Sequence, residues 1–360
     1  MNNDNNHKII LATGGTGGHI FPAITVSKII KDAGLDAVIV SDTQLDKYKN
    51  HLEVKHKIID TGKNKSLKSI IKIIFAIIKS FFLLKKEKPD LIIGFGSYAT
   101  FPILVVAKLL KIKILLHEQN SHLGKVNRWF SKYASFIMTS FPEIYGVNID
   151  YSNKIKYVGN PIRNNILNLI NNVYKYPDLE KEKFNILIIG GSGGATFFAN
   201  QLLNSFRLLD NKKKIHVVHQ VRQDDLIKTK EFYSLNNISS EVKIFFDDME
   251  ERYKKAHLII CRSGATTMFE LFAVGVPTIF IPSPNVANNH QYFNAKVVVE
   301  KDACILVEEK DFKEAEFAKM LDSLILDKNK LETLGNNIRK LYNSDTNTKI
   351  RDIIKSLLNK

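Results

Sequence analysis

The sequence predicts an α/β protein with two domains, each built on a parallel sheet. A chain of 360 residues exceeds what one compact core usually holds, and 44% hydrophobic with 25% charged residues is ordinary for a globular protein. Short apolar runs alternate with helical patterns, which is typical of βαβ units. An apolar run followed by a glycine-rich turn occurs at residues 8–18 and again at residues 184–194. We therefore expect two doubly wound, Rossmann-like domains.

The predicted strands form two series. The first covers residues 8–12, 36–40, 57–60, 90–94, 113–117, 136–139 and 156–158. The second covers residues 184–189, 215–218, 242–246, 258–261, 278–282 and 304–307. The polar stretch 164–183 between them is interpreted as a linker. In doubly wound domains, ligands bind outside the carboxyl ends of the strands, so we expect a ligand cleft there.

The first glycine-rich turn, at residues 14–22, reads GGTGGHIFP. Glycines between a strand and a helix let backbone N–H groups close around an anion, which favours a phosphate or phosphosugar site. The turn lacks the Lys-Ser/Thr of a P-loop and the spacing of a dinucleotide fingerprint, so an ATPase or a dehydrogenase is disfavoured. The alternative is a tight turn without a ligand. His19, in the first helical turn, is suited to exchange protons with a bound ligand.

A second turn, at residues 261–270, reads CRSGATTMFE and joins a predicted strand to a helix. Its amides and small residues favour a pyrophosphate at the helix start, with Glu270 accepting ribose hydroxyls. Thr267 and Glu270 also fit a capping box, in which Glu270 only satisfies a backbone amide. The sequence leaves these two interpretations open. Residues 288–291, NNHQ, supply side chains suited to sugar hydroxyls.

Composition indicates the cellular compartment and limits the classes of binding partner. The two cysteines, Cys261 and Cys304, lie in or beside apolar runs, which argues against a disulfide framework or a zinc site and suits a reducing cytoplasm. Residues 1–7 are polar and contain no apolar signal segment, so we expect the protein to stay in the cytoplasm. A net charge of +15 is compatible with nucleic acid or an anionic membrane, but no nucleic-acid motif is found.

The segment 65–88 combines lysines with the longest apolar stretch of the chain. On a helical projection the lysines share one side, and the apolar residues cover an arc too wide for a helix that only packs on a sheet. The segment is shorter than a spanning helix requires and is interrupted by lysines, which favours docking on an anionic membrane surface. The predicted docking residues are Ile74, Ile78, Phe81, Phe82, Lys72 and Lys79. An ordinary helix with a buried apolar face remains the alternative.

Six motifs occur in an order and spacing that together resemble the MurG family of the GT-B glycosyltransferase superfamily. They are GGTGGHIFP at 14–22, HEQN at 117–120, GNPIR at 159–163, FDDM at 246–249, RSGA at 262–265 and QYFNA at 291–295. The resemblance implies a GT-B fold, with two Rossmann-like domains facing a central cleft. It implies a first domain at 1–163, completed by a last helix at 346–360, and a UDP-GlcNAc-binding domain at 164–345.

The resemblance also implies the reaction and its site. Members transfer GlcNAc from UDP-GlcNAc to lipid I, giving lipid II for peptidoglycan synthesis, at the cytoplasmic face of the inner membrane. No cofactor or metal is expected, no nucleic acid is bound, and cell-wall synthesis proteins are possible partners. His19 is the expected catalytic base, and Glu118 is either an alternative base or a residue that orients loops. The expected donor-binding residues are Thr16, Gly17, Gly18, Asn120, Arg163, Ser192, Phe246, Ala265, Thr266, Thr267, Glu270 and Gln291.

The sequence departs from the family pattern at three places. Gly193 stands where glutamine is more usual, residues 96–100 (GSYAT) alter a more usual Gly-Gly-Tyr, and His290 replaces the first of two glutamines. Each change removes or alters one polar contact with the donor. A UDP-GlcNAc epimerase or another GT-B transferase remains the alternative function, because such enzymes share the nucleotide half.

Overall fold

A computed structural model gives the fold and describes residues 7–62, 67–191 and 195–359. The chain divides into two compact units, Met1–Arg163 with Asn343–Lys360 and Asn164–Tyr342. Each unit is an α/β layer structure around one parallel sheet. The inner strands, such as Lys8–Ala12, Leu91–Gly94, Phe184–Ile189 and Leu258–Cys261, are short, apolar and almost fully buried, as expected for parallel sheets covered by helices on both faces.

The first unit has a sheet in the order β3-β2-β1-β4-β5-β6-β7. Its strands are β1 (Lys8–Ala12), β2 (Asp36–Ser41), β3 (Lys55–Ile58), β4 (Leu91–Gly94), β5 (Lys113–Glu118), β6 (Phe136–Thr139) and β7 (Ile155–Tyr157). The helices between them are α1 (Gly17–Asp32), α2 (Leu67–Glu87), α3 (Phe101–Leu109) and α4 (Lys125–Phe130). The strand order reverses between β1 and β4, so the loops after these two strands form the switch point of the sheet.

The second unit has a sheet in the order β10-β9-β8-β11-β12-β13. Its strands are β8 (Phe184–Ile189), β9 (Ile215–Gln220), β10 (Ser239–Lys243), β11 (Leu258–Cys261), β12 (Thr278–Phe280) and β13 (Ile305–Leu306). The helices are α5 (Asn164–Leu167), α6 (Leu203–Arg207), α7 (Leu226–Leu235), α8 (Met249–Lys255), α9 (Ala265–Val274), α10 (His290–Val299), α11 (Glu314–Leu326) and α12 (Lys328–Arg339). The switch point of this sheet lies between β8 and β11.

The last helix, α13 (Thr346–Leu358), packs on the first unit. Its apolar face, at Ile350, Ile354 and Leu357, is buried in the same hydrophobic cluster as β1 and α1. The Nζ atom of Lys113 donates to the carbonyl oxygen of Leu357 at 2.6 Å, which satisfies an end carbonyl of the helix.

Every predicted strand is present in the described residues, but two are displaced. The third strand is Lys55–Ile58 rather than 57–60, and the strand predicted at 242–246 is Ser239–Lys243. The segment 164–183 is not a free linker. The hydroxyl groups of Tyr174 and Tyr176 donate to carbonyls of residues 257 and 325 in the second unit. This segment therefore belongs to the second unit.

Candidate active site

The glycine-rich turn after β1 is organised around a buried carboxylate. Asp42 is 3% exposed and accepts hydrogen bonds from the backbone N–H of Gly15 at 3.2 Å and of Gln44 at 3.1 Å. The Tyr98 hydroxyl donates to the same carboxylate at 2.8 Å. Burial and the nearby carboxylate raise the pKa of Tyr98, so its hydroxyl remains a donor at neutral pH. The backbone amide of Gly15 thus binds the carboxylate of Asp42, an anion within the same chain.

Close packing explains the first two glycines of this turn. A Cβ atom on Gly14 would lie 2.6 Å from the Cβ of Ala99, and one on Gly15 would lie 2.8 Å from the hydroxyl of Ser97. Both glycines also have positive φ, +147° and +80°. The turn after β1 is therefore pressed against the loop that follows β4, at the switch point of the sheet.

His19 lies in the first turn of α1, as predicted. Helix α1 begins at Gly17 after Thr16 in extended conformation, and the N–H of His19 donates to the Thr16 carbonyl at 3.0 Å. The hydroxyl of Thr13 donates to the carbonyl of His19 at 2.9 Å, which ties the helix start to the end of β1. The Nδ1 atom of the His19 ring lies 2.7 Å from Oε1 of Gln119. The imidazole is thus half-buried and held from one side.

The HEQN motif spans the end of β5 and the loop after it, and its glutamate is enclosed. Glu118 is 1% exposed and accepts four hydrogen bonds, from the N–H and side-chain amide of Asn120, the N–H of Gly124 and the side-chain amide of Asn127. A carboxylate with this many donors is a fixed acceptor that shapes the surrounding loop. The geometry therefore favours the loop-orienting role for Glu118.

The histidine and glutamine of the motif continue the contact with His19. The side-chain Nε2 of Gln119 lies 2.9 Å from Nδ1 of His117 and donates to the carbonyl oxygen of His117 at 3.2 Å. Both side chains are buried, with 0% and 1% exposure. Burial lowers the pKa of His117 to about 3, so this ring is neutral at physiological pH. His19, Gln119 and His117 form a continuous hydrogen-bonded chain.

In the second unit, helix α9 starts directly behind the open turn that follows β11. The backbone at Gly264 has φ −70°, and a Cβ placed there would meet no atom within 4 Å. Ser263 is held from behind, because its hydroxyl donates to the carbonyl of Gln291 at 2.8 Å and its carbonyl accepts from Asn294 at 3.1 Å. A helix start with free space in front of it suits an anionic group.

A cavity of about 330 Å³ lies beside this turn in the second unit. The guanidinium of Arg262 pairs with Glu309 and donates to the carbonyls of residues 281 and 282. Burial lowers the pKa of Arg262, and the Glu309 carboxylate opposes this effect. The side-chain Oε1 of Gln291 accepts from the N–H of Ser283 at 2.8 Å, which leaves its amide nitrogen as the donor. The lining residues are Gly190, Ala195, Thr196, Phe197, Arg262, Ser283, Asn285, Val286, Gln291 and Glu309.

Glu270 is not part of a capping box. Helix α9 begins at Ala265, with Gly264 as its N-cap, so Thr267 lies inside the helix and cannot cap it. The Glu270 carboxylate is 2% exposed and accepts a hydrogen bond from the hydroxyl of Tyr253 at 3.0 Å. Thr266 is buried next to it, whereas Thr267 is half-buried. The capping-box interpretation was therefore wrong, because the N-cap of α9 is Gly264 and not Thr267.

The remaining predicted donor residues fall in both units. Thr16 and Gly18 are exposed on the first turn, and Gly17 is buried. The guanidinium of Arg163 lies 4.9 Å from the ring centre of Phe21, which is two residues beyond His19 on α1. Phe246 is 2% exposed, with the guanidinium of Arg252 4.7 Å from its ring centre. Ser192, together with Gly193, lies outside the described residues.

Helix α2 has two opposite faces, as its composition predicts. Ala76 and Leu84, each 1% exposed, pack into the core. The opposite face is apolar and exposed, and Lys72 pairs with Asp60 at 2.9 Å beside it. In the described part of the chain, no helix is long and apolar enough to cross a membrane. The exposed apolar residues are Ile71 (50%), Ile74 (52%), Phe75 (59%), Ile78 (46%), Phe81 (37%) and Phe82 (67%).

Sequence reasoning missed several residues that the fold brings to these sites. Asp42 follows β2 as an ordinary loop residue, and Gln119 is noticed only as one letter of a motif. Glu309 lies after the last strand, in no motif. Phe75 was also missed as a docking residue, although its helical spacing from Ile71 and Ile78 places it on the same exposed face of α2. In the described ranges, no group of three or more His, Cys, Asp or Glu side chains is placed to hold a metal ion.

Comparison with known proteins assigns the chain to one family. Residues 9–139 match the glycosyltransferase family 28 N-terminal domain, and residues 185–356 match its C-terminal domain. A relative from Wolbachia sp. subsp. Brugia malayi is 36% identical over 335 residues, covering 92% of this chain and 94% of its own length. A relative from Rickettsia felis is 35% identical over 341 residues, covering 92% and 95%.

Both relatives bear the same name, UDP-N-acetylglucosamine--N-acetylmuramyl-(pentapeptide) pyrophosphoryl-undecaprenol N-acetylglucosamine transferase. The crystal structure of Acinetobacter baumannii MurG superposes with a TM-score of 0.76 at 25% identity, covering 98% of this chain and 99% of that one. The predicted GT-B fold class is thereby confirmed. The chain belongs to glycosyltransferase family 28, and within it to the MurG group of N-acetylglucosamine transferases.

Proposed function

We propose that this protein transfers GlcNAc from UDP-GlcNAc to the muramyl 4-hydroxyl of lipid I, with inversion, to form lipid II. The relatives named for this reaction align over 92% of the chain. The observation that carries the chemistry is the half-buried His19 at the switch point of the first unit, with its ring anchored on Gln119. A histidine in this setting is suited to accept a hydroxyl proton near neutral pH.

The step is an in-line displacement. The acceptor oxygen attacks the anomeric carbon of GlcNAc, its proton passes to the free ring nitrogen of His19, and the bond to the UDP oxygen breaks. The departing UDP carries the developing negative charge, which requires fixed donors at the leaving group. Glu118 then serves as a positioning residue, because its two oxygens already hold the loop that presents Asn120.

The donor site is assigned to the second unit. We place the pyrophosphate at the start of α9, where the turn at Gly264 leaves open space and residues 265–267 begin a ten-residue helix. Ribose hydroxyls are assigned to Glu270, the uracil to the segment at Phe246, and GlcNAc to the amide of Gln291. Thr16, Gly17, Gly18, Asn120 and Arg163 of the first unit, and Ser192 of the second, are assigned contacts with the donor from the family pattern.

The exposed apolar face of α2 is assigned to an anionic membrane surface. Six large apolar side chains form one stripe on it, and Lys72 and Lys79 lie along its edge. Lysines beside an inserted apolar stripe are attracted to anionic headgroups by about 1 kcal/mol each. The acceptor carries a lipid tail, so peripheral binding at the cytoplasmic face of the inner membrane brings the first unit to its substrate. Cell-wall synthesis proteins are further candidate partners there.

Vesicle binding tests this assignment. Replacing Ile74, Phe81 and Phe82 by serine is expected to reduce binding to vesicles with anionic lipid at least tenfold, because apolar area is lost from the inserted face. The melting temperature is expected to stay near the wild-type value, since all three side chains face solvent. The matched control is Leu84→Ser, which removes a buried contact of the same helix and lowers the melting temperature. A triple variant that unfolds like Leu84→Ser would contradict the docking role.

The reaction itself is tested by UDP release from UDP-GlcNAc, with and without a short-chain lipid I analogue, while mass spectrometry follows the acceptor. We expect release that depends on the acceptor, with one GlcNAc added to it. UDP release without a glycosylated acceptor would instead favour the alternative, an epimerase or hydrolase that shares the nucleotide half.

A further inference from the structure

We propose that Gln119 is a positioning residue that fixes the proton of neutral His19 on Nδ1. The lone pair is then on Nε2, which takes the proton from the muramyl 4-hydroxyl of lipid I. This inference rests on the proposed function, because it specifies which nitrogen of the base acts. The three side chains concerned, His19, Gln119 and His117, form the hydrogen-bonded chain described above.

A backbone carbonyl sets the orientation of the Gln119 amide. The end of the amide that lies 3.2 Å from the carbonyl oxygen of His117 must be the NH₂ group, because a carbonyl oxygen only accepts. The other end, Oε1, therefore faces His19 and lies 2.7 Å from its Nδ1. Since Oε1 also only accepts, Nδ1 of His19 must carry the hydrogen of this bond.

His117 holds the amide in the same orientation from a second atom. Its Nδ1 lies 2.9 Å from Nε2 of Gln119, so this ring nitrogen must accept and the ring proton must be on its Nε2. That state requires a neutral imidazole. Full burial, which lowers the pKa of His117 to about 3, keeps the ring neutral at physiological pH. If His117 were protonated, its Nδ1–H would face the NH₂ group of Gln119, and both groups would be donors.

The direction of the chain decides which nitrogen of His19 can act. In neutral His19 with a hydrogen on Nδ1, only Nε2 has a lone pair. When Nε2 takes the hydroxyl proton, the resulting imidazolium keeps its Nδ1–H bond to Oε1, so the contact is made before and after the step. Gln119 is 1% exposed, so the acceptor that selects the tautomer is a buried amide oxygen.

Nitrogen NMR of histidine rings tests the tautomer without relying on activity. In full-length protein labelled with ¹⁵N-histidine, two-bond proton–nitrogen correlations distinguish the Nδ1–H from the Nε2–H form, and the His19→Ala variant assigns the His19 signals by their loss. In the wild type, neutral His19 is expected in the Nδ1–H form. A wild-type Nε2–H form would overturn the proposal, with no variant needed.

Two variants at position 119 sharpen the test. Gln119→Leu removes the acceptor, and His19 is expected to shift to the Nε2–H form that free imidazole side chains prefer. Gln119→Glu keeps an acceptor oxygen, and the Nδ1–H form is expected to persist. The matched control is Thr13→Val, which removes the hydrogen bond to the backbone of His19 but not the contact to its ring. A tautomer shift in Thr13→Val as large as in Gln119→Leu would contradict a specific role for Gln119.

Kinetics provide the second readout. Gln119→Leu is expected to lower kcat roughly 10- to 100-fold, part of the 10²–10⁴ that a general base contributes, with KM for UDP-GlcNAc within about threefold. In Gln119→Glu, a carboxylate beside the ring favours the imidazolium, so the acidic limb of the kcat/KM profile is expected to move to higher pH. Unchanged kcat in Gln119→Leu would overturn the proposal.

The two readouts separate this inference from the function beneath it. Active protein whose His19 is in the Nε2–H form refutes the positioning role alone. If His19 is in the Nδ1–H form but the protein does not glycosylate a lipid I analogue, the transferase assignment is refuted. Gln119 then still fixes the tautomer of His19, but its catalytic role is refuted as well.

Discussion

The two glycine turns of this protein have the same topology and opposite surroundings. In the first unit, the turn after β1 is filled by the chain's own groups, since Asp42 takes an amide of Gly15 and Ala99 lies against Gly14. In the second unit, a Cβ atom on Gly264, in the turn after β11, would meet nothing within 4 Å, and Arg262 of the same turn lines a cavity of about 330 Å³. The same strand–turn–helix unit is thus closed by the chain's own groups in the first unit and left open in the second.

This difference suggests a division of labour. The closed turn is rigidly built and carries His19, whose ring is fixed by Gln119. Arg262 of the open turn and its partner Glu309 line a cavity of ligand size. We therefore expect substitution of Gly14 to affect stability, substitution of His19 to affect turnover, and substitution of Gly264 in the open turn to affect donor binding.

The largest expected effect is on turnover in His19→Ala. Removing the proposed base is expected to lower kcat roughly 10²- to 10⁴-fold, because the proposed mechanism routes the proton of the acceptor hydroxyl to His19. UDP-GlcNAc binding is expected to remain near wild type. Acceptor-dependent UDP release measures the first quantity. Turnover within twofold of wild type would remove His19 as the base.

The next effect concerns stability and contrasts the glycines directly. Gly14→Ala places a Cβ 2.6 Å from another Cβ at φ +147°, which is expected to cost about 1–3 kcal/mol of unfolding free energy. Gly264→Ala is the matched control, since its φ is −70° and the space is open, and it is expected to stay within about 0.5 kcal/mol of wild type. Urea unfolding measures both. Equal losses would mean that the second turn is as closed as the first.

A third effect compares one buried histidine in each unit. Burial lowers the pKa of His117 and of His219 to about 3, well below the unfolded value near 6.5. Between these values the unfolded chain binds more protons, so stability present above pH 6.5 is lost as pH falls toward 3, by about 1.4 kcal/mol per pH unit for each histidine.

Substitution separates the two contributions. Between pH 7 and pH 5, His219→Gln is expected to lose about 2 kcal/mol less unfolding free energy than wild type, because the second-unit histidine no longer titrates. The measurement is urea unfolding at both pH values, above the range in which the paired carboxylates lose their charge. The same pH dependence in variant and wild type would show that His219 is not neutral and buried.

The smallest expected effect is at Glu270, a buried residue of helix α9 behind the open turn. Glu270→Ala is expected to weaken UDP binding by about 1 kcal/mol, roughly fivefold, through loss of an acceptor for the ribose. Tyr253→Phe removes the hydroxyl that donates to Glu270 while keeping the carboxylate, and a smaller change is expected. Calorimetric titration with UDP measures both. Wild-type affinity in Glu270→Ala would make the carboxylate purely structural.

The local sequence pattern was sufficient to predict the strands of both sheets, but not the residues at which every strand begins and ends. Apolar runs such as those of β1, β6 and β8 specify buried parallel strands by themselves. For β10 the most apolar stretch, 242–246, misled the prediction, because the ladder forms where the edge strand pairs with His216–Gln220. Phe246 lies beyond the strand and is buried instead beneath Arg252.

The candidate site shows the same limit in polar contacts. The glycines and His19 were predicted, since each acts through local backbone geometry. Asp42 and Gln119 were not, because they reach their partners across 27 and 100 positions of sequence, and no periodic pattern encodes which polar side chains meet. The tertiary fold alone reveals that the first turn is closed and that the second is open.

The most direct test of the division between the two turns is the UDP affinity of three full-length proteins: wild type, Gly264→Ala and His19→Ala. The added methyl group at position 264 points into the space assigned to the pyrophosphate, so UDP is expected to bind roughly tenfold more weakly, about 1.4 kcal/mol, than to wild type. His19→Ala is expected to bind UDP like wild type. Full affinity in Gly264→Ala together with a loss in His19→Ala would contradict the account and place the nucleotide at the first turn.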